Sequence, residues 1–499
     1  MVGRLFRVAG ALVIMAVLAS PVLAVDFSYG GWHRVRAIAG NNQDRLDAVR
    51  AKDDTGKQSR DNWRFLDSVF RSTFVGRQDD DVQGLVQLEF SVFNQVLGGG
   101  GAYFGTTQIQ PSEVKGFGPT EVNSVLYWLQ FKVPFLPGSW FVRAGQDDFA
   151  LPRGIVGRFP NLRETGIQVF GKAGPLDLRF EWLKRFENDI ADADDDHVYI
   201  VRGTYSSLRN VSLTLYEVLQ SKNRDATTGA SFQDFWTGLS LRGRYGRVHS
   251  AFDFIYQTGD WEYSAAGEAA TSTDTGKSRL NRDQNVNAYA IWLTGGVTFG
   301  PASVAAHFID VSGDKDQEDR TQNQFYGIGC QTTDSGGAGC DVYSEAPADL
   351  WFGAKYNEGV LAGSLNLGGN TGGTGGRYAR GNGNRTLALD FALRPIKDVV
   401  FNTTLGFIWS QHARPDLSAA GTTPFVRDTY VGTEIDLNLA WTPYRGFTLQ
   451  GGFDYLAAGD YGKLRNRVDE QDQVAGGSNR RVNSNDDSWQ AIFMMQWFF

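Results

Sequence analysis

The last twelve residues, Ser488 to Phe499, can be read by parity. Counting back by twos from Phe499 meets Trp497, Met495, Phe493, Ala491 and Trp489, one continuous apolar stripe, while Gln496 and Gln490 fall on the opposite face. A period of two belongs to a β-strand with one face in an apolar setting and the other wet. A terminal strand buried in a soluble sandwich would show the same stripe, so the rest of the chain has to decide between settings.

The period of two recurs. Val82, Gly84, Val86, Leu88, Phe90 and Val92 alternate with Gln83, Leu85, Gln87, Glu89, Ser91 and Phe93, and Leu66 to Phe74 does the same, with a hairpin across Gln78 to Asp81. Phe235 to Tyr245 and Val248 to Tyr256 join through Gly246-Arg247, and Val431 to Trp441 sets apolar residues against Gly432, Glu434, Asp436, Asn438 and Ala440. Connections alternate in length. Short turns are expected at Gln78 to Asp81, Pro134 to Ser139, Lys172 to Pro175, Ser206 to Asn210, Tyr245 to Arg247, Phe299 to Ala302, Tyr356 to Gly359, Pro395 to Asp398 and Thr442 to Gly446. Longer polar segments separate them, among them Gln95 to Thr120, Asp147 to Arg163, Thr258 to Asn285, Val311 to Asp349 and Ala457 to Asp487. Nine short turns join eighteen strands, and a first strand near Phe27 to Ala39 with the terminal strand brings the reading to 20. Eighteen is the alternative, because short candidates such as Trp140 to Gly145 and Leu350 to Tyr356 are easily mis-drawn.

At the other end, Arg4 and Arg7 precede the apolar run Val8 to Leu18, and Val22-Leu23-Ala24 offers a cleavage site, so residues 1–24 read as an export signal and the mature chain as 25–499. No later stretch approaches the roughly 20 apolar residues of a spanning helix, so any passage through a membrane is made by strands. Two of the 48 basic residues and none of the 56 acidic ones lie in the signal, which leaves the remainder clearly negative and makes nucleic acid an unexpected partner. The mean hydropathy is negative, as expected when each strand offers apolar residues only at alternate positions. Sixty glycines, with aromatic residues at 13%, suit many strands, turns and two interfacial girdles.

Alternating strands, regularly alternating short and long connections, an export signal and the aromatic Phe499 together resemble the bacterial outer-membrane porins as a superfamily, including wide barrels of the alginate-export type. The resemblance rests on architecture and covers the mature chain, with no motif that selects one porin family. It implies an all-β transmembrane antiparallel up-and-down barrel in the outer membrane of a Gram-negative cell, with short periplasmic turns and long extracellular loops. It also implies outer-membrane lipid and lipopolysaccharide as surroundings, with Phe499 as the signal read by the barrel-assembly machinery. The expected cargo is small hydrophilic solutes, and a homo-oligomer is an open possibility. The functions it implies are passive diffusion of such solutes or export of a polysaccharide.

Parity places the pore-lining candidates. If Val35, Ala37 and Ala39 face lipid, Arg34 and Arg36 face the lumen, joined by Arg71, Arg143, Arg179, Arg202, Arg242 and Arg244, with Lys132 and Lys355. Inward acids are Asp67, Glu89, Asp177, Glu181, Asp253, Asp390, Glu434, Asp436 and Asp454. Basic residues crowd the earlier strands and acids the stretch from Asp390 to Asp454, so opposed walls would set a field favouring charged or strongly dipolar solutes. The other reading is that these charges pair with one another to solvate a wide lumen.

The segment Phe149 to Arg163 is apolar and basic together. It is expected either to fold inward and present Arg153, Arg158 and Arg163 at a constriction, or to lie over the rim or against a neighbouring protomer. Cys330 and Cys340, an even pair in an exported chain, read as a disulfide within one extracellular loop. Two cysteines without a nearby histidine fall short of zinc ligation. Asp192 to Asp196 lacks the spacing and glycine of a calcium loop and reads as a solvated segment near lipopolysaccharide. The glycine-rich stretch Gly368 to Gly383 lacks the lysine of a phosphate-binding loop. The five histidines are scattered without a metalloprotease pair or nucleophile elbow, so neither an enzyme nor a cofactor or metal is expected. A first strand directly after the cleavage site leaves no room for an N-terminal plug domain. The competing functions are a diffusion porin, an exporter component and a structural or adhesive barrel sealed by its loops.

Overall fold

The computed structural model describes residues 25–41, 63–79, 81–96, 121–136, 138–147, 151–152, 156, 164–186, 196–222, 231–262, 283–313, 321–323, 325, 327–328, 383–409, 411–412, 429–459 and 488–499. The signal segment 1–24 lies outside them. The chain forms strands β1 (Asp26–Asn41), β2 (Trp63–Gln78), β3 (Val82–Val96), β4 (Glu121–Lys132), β5 (Trp140–Asp147), β6 (Glu164–Ala173) and β7 (Leu176–Phe186). Next come β8 (Asp196–Tyr205), β9 (Val211–Lys222), β10 (Ser231–Tyr245), β11 (Val248–Glu262), β12 (Gln284–Phe299) and β13 (Ala302–Val311). The two-residue β14 (Thr321–Gln322) precedes β15 (Asn384–Ile396), β16 (Val399–Trp409), β17 (Tyr430–Tyr444), β18 (Phe447–Ala458) and β19 (Ser488–Phe498).

Apart from β14, each strand pairs antiparallel with its predecessor in the wall, and β19 pairs with β1 from Trp32↔Phe498 to Asn41↔Trp489, which closes the sheet. Closure satisfies every strand edge, the condition for spanning a bilayer with strands. The wall holds eighteen strands, the lower of the two counts. β13 is occupied by β12 on one edge and β15 on the other, from Ala302↔Leu393 to Val311↔Asn384. No place is left for the extra hairpin expected around Tyr356 to Gly359, residues outside the described ones. β14 instead extends the pairing of β12 beyond the end of β13, in parallel, at Asn285↔Thr321 and Val286↔Gln322. The short candidate Trp140 to Gly145 is a wall strand, β5.

Eight of the seventeen connections between successive wall strands are short, and these eight fall at one end of the barrel. Tyr245 pairs with Val248, so Gly246-Arg247 is a two-residue loop, and Gly246 takes the positive φ of 59° that this tight reversal needs.

The burial pattern is inverted relative to a water-soluble protein. On β17, Leu439 is 50% exposed on the outer face while Asp436, on the inner face, is 1% exposed. The same holds around the ring: Leu215, Leu293, Leu389, Phe453 and Phe493 point outward, and Gln168, Asp253, Thr404 and Glu434 are buried within. Large apolar side chains standing outward on every second residue need an apolar medium around them. Strand parity turns the acid Glu217 outward within this belt, and Asp310 of β13, paired with Ile291 and Arg385, faces the same way. Glu217 lies one pair below Leu219, whose partners are Tyr199 and Phe235, and its carboxylate accepts from the Thr237 hydroxyl at 2.9 and 3.0 Å.

Candidate functional site

Eighteen strands enclose a space too wide for side chains to fill, so the inner wall is the candidate site. Arg143 on β5 anchors its arginine-bearing side. Its Nε and Nη2 donate to the Gln130 side-chain oxygen on β4 at 3.2 and 2.7 Å, and its Nη1 donates to Asp147. The guanidinium also lies 4.0 Å from the Trp128 ring centre. Gln168 on β6 completes the base by donating to Asp147 at 2.9 Å. Two strands on, Arg179 of β7 and Arg202 of β8 are directly paired, an arrangement of like charges that costs stability unless something lies between them. Glu181 supplies that, with its Oε1 3.4 Å from Arg179 and 4.0 Å from Arg202. With Lys172 and Asp177, directly paired on β6 and β7, four cationic groups stand against three carboxylates and leave this stretch positive.

The remaining arginines continue it. Arg34 and Arg71 flank Trp32 at 5.7 and 5.0 Å from its ring centre, and Arg36 is buried one step further along β1. Arg242 and Arg244 face inward on β10, and Arg242 lies 4.0 Å from Asp253 of β11. From there the inner face turns acidic. Asp390 on β15 is 2.7 Å from Nε2 of His307 and accepts from the Thr404 hydroxyl at 2.9 Å, while the other ring nitrogen of His307 lies 3.0 Å from the Thr294 hydroxyl. Asp436 and Asp454 are directly opposite one another on β17 and β18, with Glu434 one pair along. Because ring order is chain order, arginines occupy the arc β1 to β10 and these acids the arc β11 to β18.

Other expectations are placed differently. Glu89 is paired with Arg71 through its backbone, its side chain lying outside the described residues. Lys132 belongs to the turn end of the barrel, where its Nζ is 3.0 Å from Asp81. Arg153, Arg158, Arg163, Cys330, Cys340, Lys355, Asp192 to Asp195 and most of the glycine-rich stretch lie outside the described residues. Phe499 closes the seam: its N–H donates to Gly31 O and its carbonyl accepts from Gly31 N–H, both at 3.1 Å. Its ring stacks on Phe70 at 5.5 Å and tilts against Tyr29 at 5.7 Å.

Of the two expectations for Phe149 to Arg163, its described residues Leu151 and Val156 follow the inward one; sequence reasoning missed the apolar layer that receives them and the second connection that joins them. Inward side chains of β7 to β13, including Leu183, Tyr216, Trp236, Ile255 and Trp292, form a buried apolar cluster with Leu151 and Val156 from the β5–β6 connection and Phe325 and Ile328 from the β13–β15 connection. The two connections also touch: the Ile328 N–H donates to Val156 O at 2.8 Å, and Phe325 N–H to Ser312 O at 3.1 Å. Both therefore enter the barrel and narrow it. The available signal was the short apolar run Phe325-Tyr326-Gly327-Ile328 in a largely polar loop. The aromatic Phe170 and Trp128 among the arginines were also overlooked, although they share the inward parity of Gln168 and Gln130.

No protein-family model matches the sequence, and no curated protein matches it either. The fold does have solved counterparts. Pseudomonas aeruginosa OccK8 (OprE) is 14% identical, with 95% of this chain and 98% of that one covered and a TM-score of 0.51. Pseudomonas aeruginosa OccK9 (OpdG) is 10% identical over 95% and 99% with a TM-score of 0.51, and Pseudomonas aeruginosa OpdQ is 11% identical over 95% and 98% with a TM-score of 0.50. These neighbours are outer-membrane porins of the OprD/Occ type, and they lend no support to the alginate-export form of the resemblance. What this chain shares with them is the fold, a closed eighteen-stranded antiparallel barrel.

Proposed function

We propose that the protein is an outer-membrane porin through which small hydrophilic, charged solutes diffuse passively. The observation that carries this reading is the closed wall, apolar outside and charged inside, with an arginine arc facing an acidic one across the lumen. A charged interior lowers the cost of bringing an ion out of bulk water, and opposed arcs orient a solute that carries both signs or a strong dipole. The connections that enter the barrel restrict the size of what passes. On this reading the protein is no enzyme and requires no cofactor or metal. Residues 1–24 direct export, lipid and lipopolysaccharide surround the belt, and the assembly machinery reads Phe499.

Purified protein in planar bilayers tests the reading. Stepwise ohmic conductance is expected, and replacing Arg143, Arg179 and Arg202 together by glutamine should lower the anion-to-cation permeability ratio about fivefold, corresponding to about 1 kcal/mol of local potential. A folded protein that inserts without conducting, or a triple variant with the ratio of the parent, refutes it.

A further inference from the structure

Phe170 stands on the inner face of β6 between two guanidiniums. The Arg143 carbon Cζ is 5.2 Å from the centre of its ring and that of Arg179 is 5.1 Å from it. Behind it, Phe141 of β5, the directly paired residue, stacks on it at 5.6 Å with planes 26° apart. The two arginines are held very unequally. Arg143 is fixed by Gln130, Asp147 and Trp128, as described above. Arg179 has a single long contact with Glu181, at 3.4 Å, and the ring.

We propose that Phe170 is a positioning residue for solute passage: through its ring it holds Arg179 in the lumen, against the pull of Glu181, and so preserves the positive charge that a passing anion meets. The proposal rests on the reading of the arginine arc as part of the permeation path. Its physical basis is the quadrupole of the aromatic face, which attracts a cation without cancelling its charge. A carboxylate in the same place would hold the arginine equally well but would neutralise it. The fixed Arg143 and the stacked Phe141 keep the ring from turning, so Arg179 is presented at a set place on the wall. Without the ring, Glu181 draws Arg179 from the present 3.4 Å into a closer ion pair, and the arc loses field although no charge has been removed from the sequence.

The test is the anion-to-cation permeability ratio from reversal potentials in a potassium chloride gradient. Phe170→Leu is expected to lower it about two- to fivefold, the range set by cation–π attraction at exposed sites, while Phe170→Tyr, which keeps the ring, leaves it unchanged. Pentafluorophenylalanine incorporated at position 170 has nearly the same shape with the quadrupole reversed, and should lower the ratio as leucine does. This variant also decides the matter if the leucine protein does not fold. A fluorinated protein with the parent ratio, where Arg179→Gln lowers it, overturns the proposal and leaves Phe170 a packing residue. If the triple arginine variant also keeps the parent ratio, the permeation reading falls as well, and the two failures are thereby told apart.

Discussion

Gly31 is where the barrel is sealed, and Gly31→Ala should unseal it. A Cβ at this position would clash with the backbone oxygen of Arg71 and come within 2.7 Å of Cζ of Phe499. The first obstacle is main chain, so β1 and β2 cannot yield cheaply, and the Phe499 ring has to leave. Displacing the ring forfeits its contacts with Phe70 and Tyr29, and a shift of β1 large enough to clear the Arg71 oxygen forfeits the two reciprocal hydrogen bonds between Gly31 and Phe499. At about 1 kcal/mol for each hydrogen bond and about 0.5–1.5 kcal/mol for each aromatic pair, the loss is about 3–5 kcal/mol. The assay is folding into detergent micelles or bilayers at a series of urea concentrations, read by the gel shift between folded and heat-unfolded barrel. The midpoint should fall well below that of the parent, with slower appearance of the folded band. An alanine variant with the parent midpoint would show that the terminal aromatic contributes nothing to closure and would refute the reasoning.

Two further outcomes follow from the interior. A Cβ at Gly238 would fall within the ring of Tyr216, so Gly238→Ala forces that ring off its place, with a cost of about 1–3 kcal/mol visible as a lowered urea midpoint; an unchanged midpoint counts against the packing described. Val156→Asp sets a carboxylate in the apolar cluster, a penalty of several kcal/mol that exceeds the about 1 kcal/mol of the Ile328–Val156 hydrogen bond. The connection should leave the lumen and single-channel conductance should rise, whereas conductance equal to the parent would mean that the segment does not narrow the pore.

Much of the wall was legible because strand parity is a local property. The stripe through Phe499, Trp497 and Met495 and the opposition of Glu434 and Asp436 to Ile435 and Leu437 are visible in single segments, and the register confirms them. The hairpin turns were legible for the same reason, from residues such as Gly246 that a tight reversal demands. The strand number was less so. Whether Tyr356 to Gly359 adds a hairpin depends on whether β13 has a free edge, and that is a fact about its pairing with β15. The inward turn of Leu151, Val156, Phe325 and Ile328 depends on an apolar landing built from seven strands, none of which marks it alone. The place of Phe170 between Arg143 and Arg179 likewise spans three strands and has no signature in any one of them.

The direct pairing of β13 with β15 bears on how such a protein diversifies. The chain departs at Val311 and returns at Asn384, two residues that face each other across a single ladder, one strand spacing of about 4.8 Å apart. Apart from β14, which extends β12, a change of length in this excursion leaves the register of the β13–β15 ladder as it is. Part of that same excursion, at Phe325 and Ile328, reaches the lumen. A substitution in that excursion can therefore reshape the interior while the cylinder around it stays as it was.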